Sequence, residues 1–180
     1  MLLMTLPLAA QNEYRPFKMD VGFLLGEANE HSIGLIAPYL EPKYNINNHF
    51  TLGMRVEYVF YRKDEFIDYN PEDPYLTDLD AVGWTFSSLL TADYYFNDHY
   101  IRPFVGIGAG VYYMYINKEN NYIPSFSENG LAFGYAPRVG FNIGQFRFAC
   151  EYNFINSHEF TLDYLSLKIG FEIGGGKKWF

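Results

Sequence analysis

Residues 165–173 read Leu165, Ser166, Leu167, Lys168, Ile169, Gly170, Phe171, Glu172, Ile173. Every odd position is bulky and apolar, and every even position is small or charged. A two-residue period puts successive side chains on opposite faces, so the stretch is a strand with one greasy face and one polar face. The same period returns in seven earlier segments, at about 17–26, 34–44, 50–62, 84–96, 100–116, 130–143 and 146–156, and the quoted strand itself extends over about 161–174. Eight strands with this pattern predict an all-β chain.

Its 180 residues suffice for a single domain. Hydrophobic residues make up 49% of the chain and aromatic residues 20%, with 17 Tyr and 17 Phe. Mean hydropathy is only -0.14. No apolar run reaches the roughly 18 residues of a membrane-spanning helix, so any membrane character is carried by period and not by hydropathy. The net charge of -8 argues against nucleic acid as a partner. Cys150 is the one cysteine, which excludes an intrachain disulfide and a multi-cysteine zinc site. Residues 1–10 (MLLMTLPLAA) are apolar and end in small residues, while the chain from Gln11 is polar. They read as the remnant of an export signal cleaved after Ala10, without a basic leading region, and residues 11–180 read as one barrel domain.

The connections fall into two alternating sets. NINNH (Asn45 to His49), Asn97 to His99, and Gly144 with Gln145 are tight turns built from Asn, Asp and Gly. The connections at about 27–33, 63–83, 117–129 and 157–160 lie at the opposite end and include the long ones. An up-and-down antiparallel arrangement with an even strand number then puts both termini at the tight-turn end.

The two faces decide where the apolar side points. One carries Phe17, Met19, Val21, Phe23 and Leu25 in the first strand, Leu52, Met54, Val56, Tyr58 and Phe60 in the third, and Phe146, Phe148, Cys150, Tyr152 and Phe154 in the seventh. The other carries Gly22, Gly53, Gly106, Gly108, Gly110, Gly134, Gly140 and Gly170 and most of the strand charges. The interior of an eight-stranded barrel is just wide enough to be filled by side chains, so it has no room for the apolar set of on the order of 45 mostly large residues. A lipocalin-like soluble barrel is thereby disfavoured. The apolar face points outward, as in an eight-stranded antiparallel transmembrane β-barrel. Outward aromatics form two levels. Tyr44, Phe50, Phe96, Phe141 and Phe146 lie near the tight turns, and Tyr58, Phe60, Phe86, Tyr113, Tyr115, Phe133 and Phe154 near the long loops. Met54, Val56, Leu90, Ala92, Val105, Ile107 and Val139 lie between, giving two girdles around an aliphatic band.

The inward charges are Lys18, Lys43, Arg55, Arg102, Arg138, Arg147 and Lys168 against Asp20, Glu41, Glu57, Asp93, Glu151 and Glu172. Ions held in so narrow a space must be paired. Arg55, Glu57, Asp93, Arg102, Arg138, Arg147 and Glu151 are therefore expected to interleave as a structural plug, in preference to a gated ion path. Most of the remaining acidity falls at the outer end, densest in DEFIDYNPEDPYLTDLD, which holds Asp64, Glu65, Asp68, Glu72, Asp73, Asp78 and Asp80. This stretch is a possible contact for a divalent cation or a basic surface partner, although it lacks the EF-hand spacing. A solvated surface loop accounts for the same composition.

No catalytic or metal site is expected. Ser157, His158 and Glu159 are consecutive, whereas a nucleophile, base and orienting group need separated elements. His31, His49, His99 and His158 have no metal-ligand spacing; His49 and His99 each follow Asn or Asp in a tight turn.

TADYYF (Thr91 to Phe96), RPFVGIGAG (Arg102 to Gly110), APRVGFNIG (Ala136 to Gly144) and EYNF (Glu151 to Phe154) resemble the outer-membrane β-barrel domain family of small Gram-negative barrels, OmpA/OmpX-like and opacity-type. The resemblance runs from about residue 16 through nearly the whole chain. It implies a closed eight-stranded barrel in the outer membrane, with periplasmic termini and extracellular long loops. It also implies a cleaved signal and insertion by the barrel-assembly machinery, which reads a C-terminal strand ending in an aromatic residue, here Phe171 or Phe180. These motifs specify architecture, not activity. The expected function is a cell-surface adhesive or binding role through the acidic loops of a monomeric, non-enzymatic barrel that uses no cofactor. A lipid A-modifying enzyme is the alternative, but no strand offers the closely spaced His and Ser it would need. A small pore is the third reading, disfavoured by the crowded lumen.

Overall fold

In a computed structural model, the chain is described over residues 14–28, 32–65, 79–120, 123–156 and 163–177, with side chains over 16–26, 36–60, 83–115, 129–156 and 163–175. It forms eight strands in chain order: β1 (Tyr14–Ala28), β2 (Ser32–Asn45), β3 (Phe50–Glu65), β4 (Leu79–Tyr95), β5 (Ile101–Asn120), β6 (Ile123–Ile143), β7 (Phe146–Asn156) and β8 (Tyr164–Lys177). Each pairs antiparallel with its sequence neighbours, and β8 pairs with β1, so the sheet closes into an up-and-down barrel. Closure leaves no free sheet edge along the paired wall.

Local chemistry sets the tight turns. Asn47 Oδ1 accepts hydrogen bonds from the amides of His49 (2.8 Å) and Phe50 (2.7 Å), fixing the β2–β3 turn. Gly144 adopts a φ of 58°, a left-handed conformation that glycine reaches without strain, and a two-residue turn then joins β6 to β7.

The strands near the long loops run further than the sequence periodicity predicts. The β3–β4 ladder continues to Glu65 opposite Leu79, and the β5–β6 ladder to Asn120 opposite Ile123. Residues expected in loops, among them Lys63, Asp64, Lys118 and Glu119, are strand residues. Their charge reads as loop, yet each further pair adds ladder hydrogen bonds.

The faces divide as the period requires. Every strand contributes a large apolar side chain to the outside: Phe23, Ile36, Met54, Leu90, Ile107, Val139, Phe146 and Leu167 are each between 48% and 72% exposed. Contiguous apolar exposure around a whole circumference far exceeds the patches that a soluble monomer tolerates. Inward glycines make room for larger neighbours. A Cβ on Gly106 would stand 2.7 Å from the Ala92 carbonyl oxygen and 3.1 Å from Arg138 Nε, besides striking the Asp93 carboxylate. At Gly170 it would collide with the Tyr39 hydroxyl and the Asp20 carboxylate.

Candidate functional site

The barrel interior holds twelve buried charged side chains among the described residues: Lys18, Lys43, Arg55, Arg138, Arg147 and Lys168 against Asp20, Glu41, Glu57, Asp93, Glu151 and Glu172. Six cations face six carboxylates. They sort into two clusters, each neutral on its own.

The larger cluster lies toward the tight turns. Lys43 Nζ is 3.1 Å from Asp20, 3.4 Å from Glu41 and 3.6 Å from both Asp93 and Glu172. Arg138 reaches Glu41 at 2.7 Å and Asp93 at 2.8 Å. Arg147 reaches Asp93 at 2.8 Å, Asp20 at 3.2 Å and Glu172 at 3.4 Å, and Lys18 pairs with Glu172 at 3.1 Å. Neutral donors complete the carboxylates: Thr91 donates to Glu41 (2.6 Å), Tyr39 to Asp20 (3.1 Å) and Asn142 to Glu172 (2.7 Å). The smaller cluster has two cations and two carboxylates. Arg55 Nε lies 2.8 Å from Glu57, and its two terminal nitrogens donate to the two oxygens of Glu151. Lys168 bridges Glu57 and Glu151, the latter at 2.8 Å. Among the described residues no ion pair joins the two clusters. Multiple charge-assisted hydrogen bonds on each ion are the condition under which buried charges are tolerated.

Of the seven lumen residues singled out from the sequence, six lie in these clusters. Arg102 does not. It is half-buried at the tight-turn rim, where Nη2 donates to the Asn48 carbonyl (2.7 Å) and Nε to that of Asn97 (3.3 Å), with the guanidinium 4.3 Å from the centre of the Tyr95 ring. As the first inward residue of β5 it stands level with the turns, whose free carbonyls take the donors that carboxylates take deeper in. Its departure leaves the six-to-six balance.

Periodicity also missed an apolar layer on the same inward face. Leu24, Ala37, Val59, Leu89, Tyr112, Met114, Ala132, Ala136, Ile155 and Tyr164 form one buried cluster. All eight strands contribute. On each strand that carries a described buried charge, the contributed residue lies closer to the long-loop end than that charge: Leu24 beyond Asp20, Val59 beyond Glu57, Ile155 beyond Glu151, Tyr164 before Lys168. The interior is therefore segregated along its axis, charged toward the tight turns and apolar toward the loops. A smaller cluster of Tyr95, Phe104 and Ala149 lies at the tight-turn end and draws on three strands only. Within the loopward layer, Thr85 Oγ1, Asn153 Nδ2 and Tyr164 Oη are buried without a hydrogen-bond partner, while Tyr112 donates to Asn153 Oδ1 at 2.9 Å.

The acidic residues of the outer end divide. Asp64, Glu65 and Asp80 lie on the ends of β3 and β4. The register sets Asp64 opposite Asp80 and Asp80 opposite Glu119, one acidic row across three strands. Asp68, Glu72, Asp73 and Asp78 lie outside the described residues, as do Ser157, His158, Glu159 and His31. His49 Nδ1 lies 2.8 Å from the Tyr95 carbonyl and its ring stacks on Tyr94, and the His99 amide donates to Asn97 Oδ1 at 3.2 Å. No group of three His, Cys, Asp or Glu suited to a metal occurs among the described residues.

A closed eight-stranded barrel with a filled interior and an apolar exterior is the fold of the small outer-membrane barrels, and solved structures of that class match this one. The attachment invasion locus protein Ail of Yersinia pestis, solved with the heparin analogue sucrose octasulfate, aligns with a TM-score of 0.60 at 13% identity, covering 89% of this chain and 99% of that one. OprG of Pseudomonas aeruginosa aligns at 0.53 and 13% identity over 87% and 95%. The N-terminal β-barrel domain of OprF from the same organism aligns at 0.52 and 11% identity over 89% and 99%. No family model and no curated protein matches the sequence.

Proposed function

We propose that the chain is an integral outer-membrane protein whose barrel is a closed scaffold and whose acidic outer end contacts a partner at the cell surface. The observation that carries this reading is the pairing of an apolar exterior on all eight strands with an interior where every buried charge has an opposite partner. An exterior of that kind needs lipid. An interior of that kind fills the space that a channel would occupy. The termini then lie in the periplasm, the long loops lie outside, and the ion-paired lumen acts as a structural plug.

The register places three acidic residues, Asp64, Asp80 and Glu119, at neighbouring positions on three strands, and acidic residues at such positions favour a cation or a basic group nearby. A divalent cation or a basic surface partner fits that chemistry. On this reading the barrel works as a monomeric scaffold and not as an enzyme, its buried charged side chains paired with one another among the described residues.

The experiment compares intact cells carrying the parent with cells carrying Asp64→Asn, Glu65→Gln and Asp80→Asn together, for binding to a polycation-coated surface with and without added calcium. Loss of binding in the variant at equal surface levels supports the reading. Equal binding by both, or a change of lipid A mass in cells expressing the parent, contradicts it.

A further inference from the structure

Two materials fill the lumen, and they do different work. The ion pairs occupy the half toward the tight turns. The apolar layer occupies the half toward the long loops and receives a side chain from every strand. Leu24, Leu89, Tyr112 and Ala136 in that layer have no exposure at all. By contrast, the charged half ends at a rim by the tight turns, where Arg102 is only half-buried.

We propose that the apolar layer is the permeability barrier of this barrel, and that the ion-pair network is the internal brace beneath it. This rests on the reading of the chain as a closed membrane barrel. A constriction lined by apolar side chains excludes ions because an ion entering it loses hydration and gains no polar partner. A network of paired charges lacks that property. Its carboxylates and cations offer an entering ion or water ready partners, and two neutral clusters impose no net field against either sign. The barrier therefore belongs at the level where every strand contributes an apolar side chain; the polar atoms of Thr85, Tyr112, Asn153 and Tyr164 among them are too few to replace an ion's hydration shell. Water enters the charged half from the tight-turn end and stops below Leu24, Val59 and Ile155.

The test is ionic current through the full-length protein in planar bilayers. Met114→Ser with Ile155→Ser makes the layer polar while leaving every ion pair in place. Arg55→Gln with Glu151→Gln removes one cation and one carboxylate, keeps the smaller cluster neutral and leaves the layer intact. Folding of each is checked by circular dichroism. The expected result is resolvable current steps from the layer variant and a silent baseline from the parent and the network variant. A silent layer variant that is folded, or current from the network variant, overturns the assignment of the barrier. Current from the parent has a different meaning: it overturns the closed-barrel reading itself. A second arm needs no change in the layer. In a Cys150→Ala background, Ser166→Cys places a thiol just below Tyr164. The thiol is expected to resist a water-soluble maleimide in the folded barrel, and rapid reaction overturns the barrier.

Discussion

Arg55 and Glu151 meet across the barrel as a bidentate pair, the guanidinium carried by β3 and the carboxylate by β7, four strands away in a ring of eight. Both side chains are fully buried. The pair is a strut between opposite walls, and its worth depends on both ends being present. Glu151→Gln or Arg55→Met alone leaves the smaller cluster with one uncompensated charge in the interior and is expected to cost about 3–5 kcal/mol. The double variant Arg55→Met/Glu151→Gln is expected to lose less than the sum of the two. Urea unfolding midpoints in bilayers, arranged as a double-mutant cycle, read this coupling. Asp98→Asn, which removes an exposed charge in the β4–β5 turn, is expected to change stability by no more than about 1 kcal/mol.

Gly106 and Gly170 allow the larger cluster to form. Gly106→Ala places a methyl group against Asp93 and Arg138, and Gly170→Ala places one against Tyr39 and Asp20. At Gly106 the Ala92 carbonyl belongs to a continuous ladder and cannot retreat, and at Gly170 the displaced groups are the Tyr39 hydroxyl and the Asp20 carboxylate that it donates to. Each variant is expected to lose about 1–3 kcal/mol through overpacking, read as a lowered unfolding midpoint. Gly108→Ala meets only ordinary contacts, at 3.4 Å from Leu89, and serves as the tolerated control.

Thr85 and Tyr164 carry buried hydroxyls without hydrogen-bond partners. Removing an unpaired polar atom while keeping its shape relieves a desolvation cost. Thr85→Val and Tyr164→Phe are expected to leave stability unchanged or to raise it. A loss greater than about 1 kcal/mol in either would show that the hydroxyl is satisfied in the native barrel.

Ile107 faces outward from the middle of β5 and is half exposed. Ile107→Arg sets a charge against the lipid core and is expected to cost about 2–4 kcal/mol of folding free energy in bilayers. Ile107→Leu is expected to cost almost nothing. Equal folding of the arginine variant and the parent would mean that the apolar face points elsewhere.

The strand period carried the fold. Residues 165–173 alternate without a break, and the structure keeps that alternation through the closed ring. The bulk of the outward set, too large for an eight-stranded interior, settled which face is outside. Three things were not legible. The ladders at Asn120 opposite Ile123 and at Glu65 opposite Leu79 run through charged residues that composition assigns to loops. Arg102 shares the inward period with Arg138 and Arg147, and only its height in the barrel separates it from them. The apolar layer escaped because Leu24, Val59 and Ile155 each appear once per strand among glycines and charges. They become a layer only when strand register brings all eight walls together.

The central claim is that this exterior lies in lipid, and washing of membranes from expressing cells with alkaline carbonate and then urea tests it most directly. The account predicts that the protein stays in the pellet through both washes, floats with lipid on a density gradient, and is released only by detergent. Recovery of a folded, monomeric protein in the aqueous supernatant without detergent would contradict it.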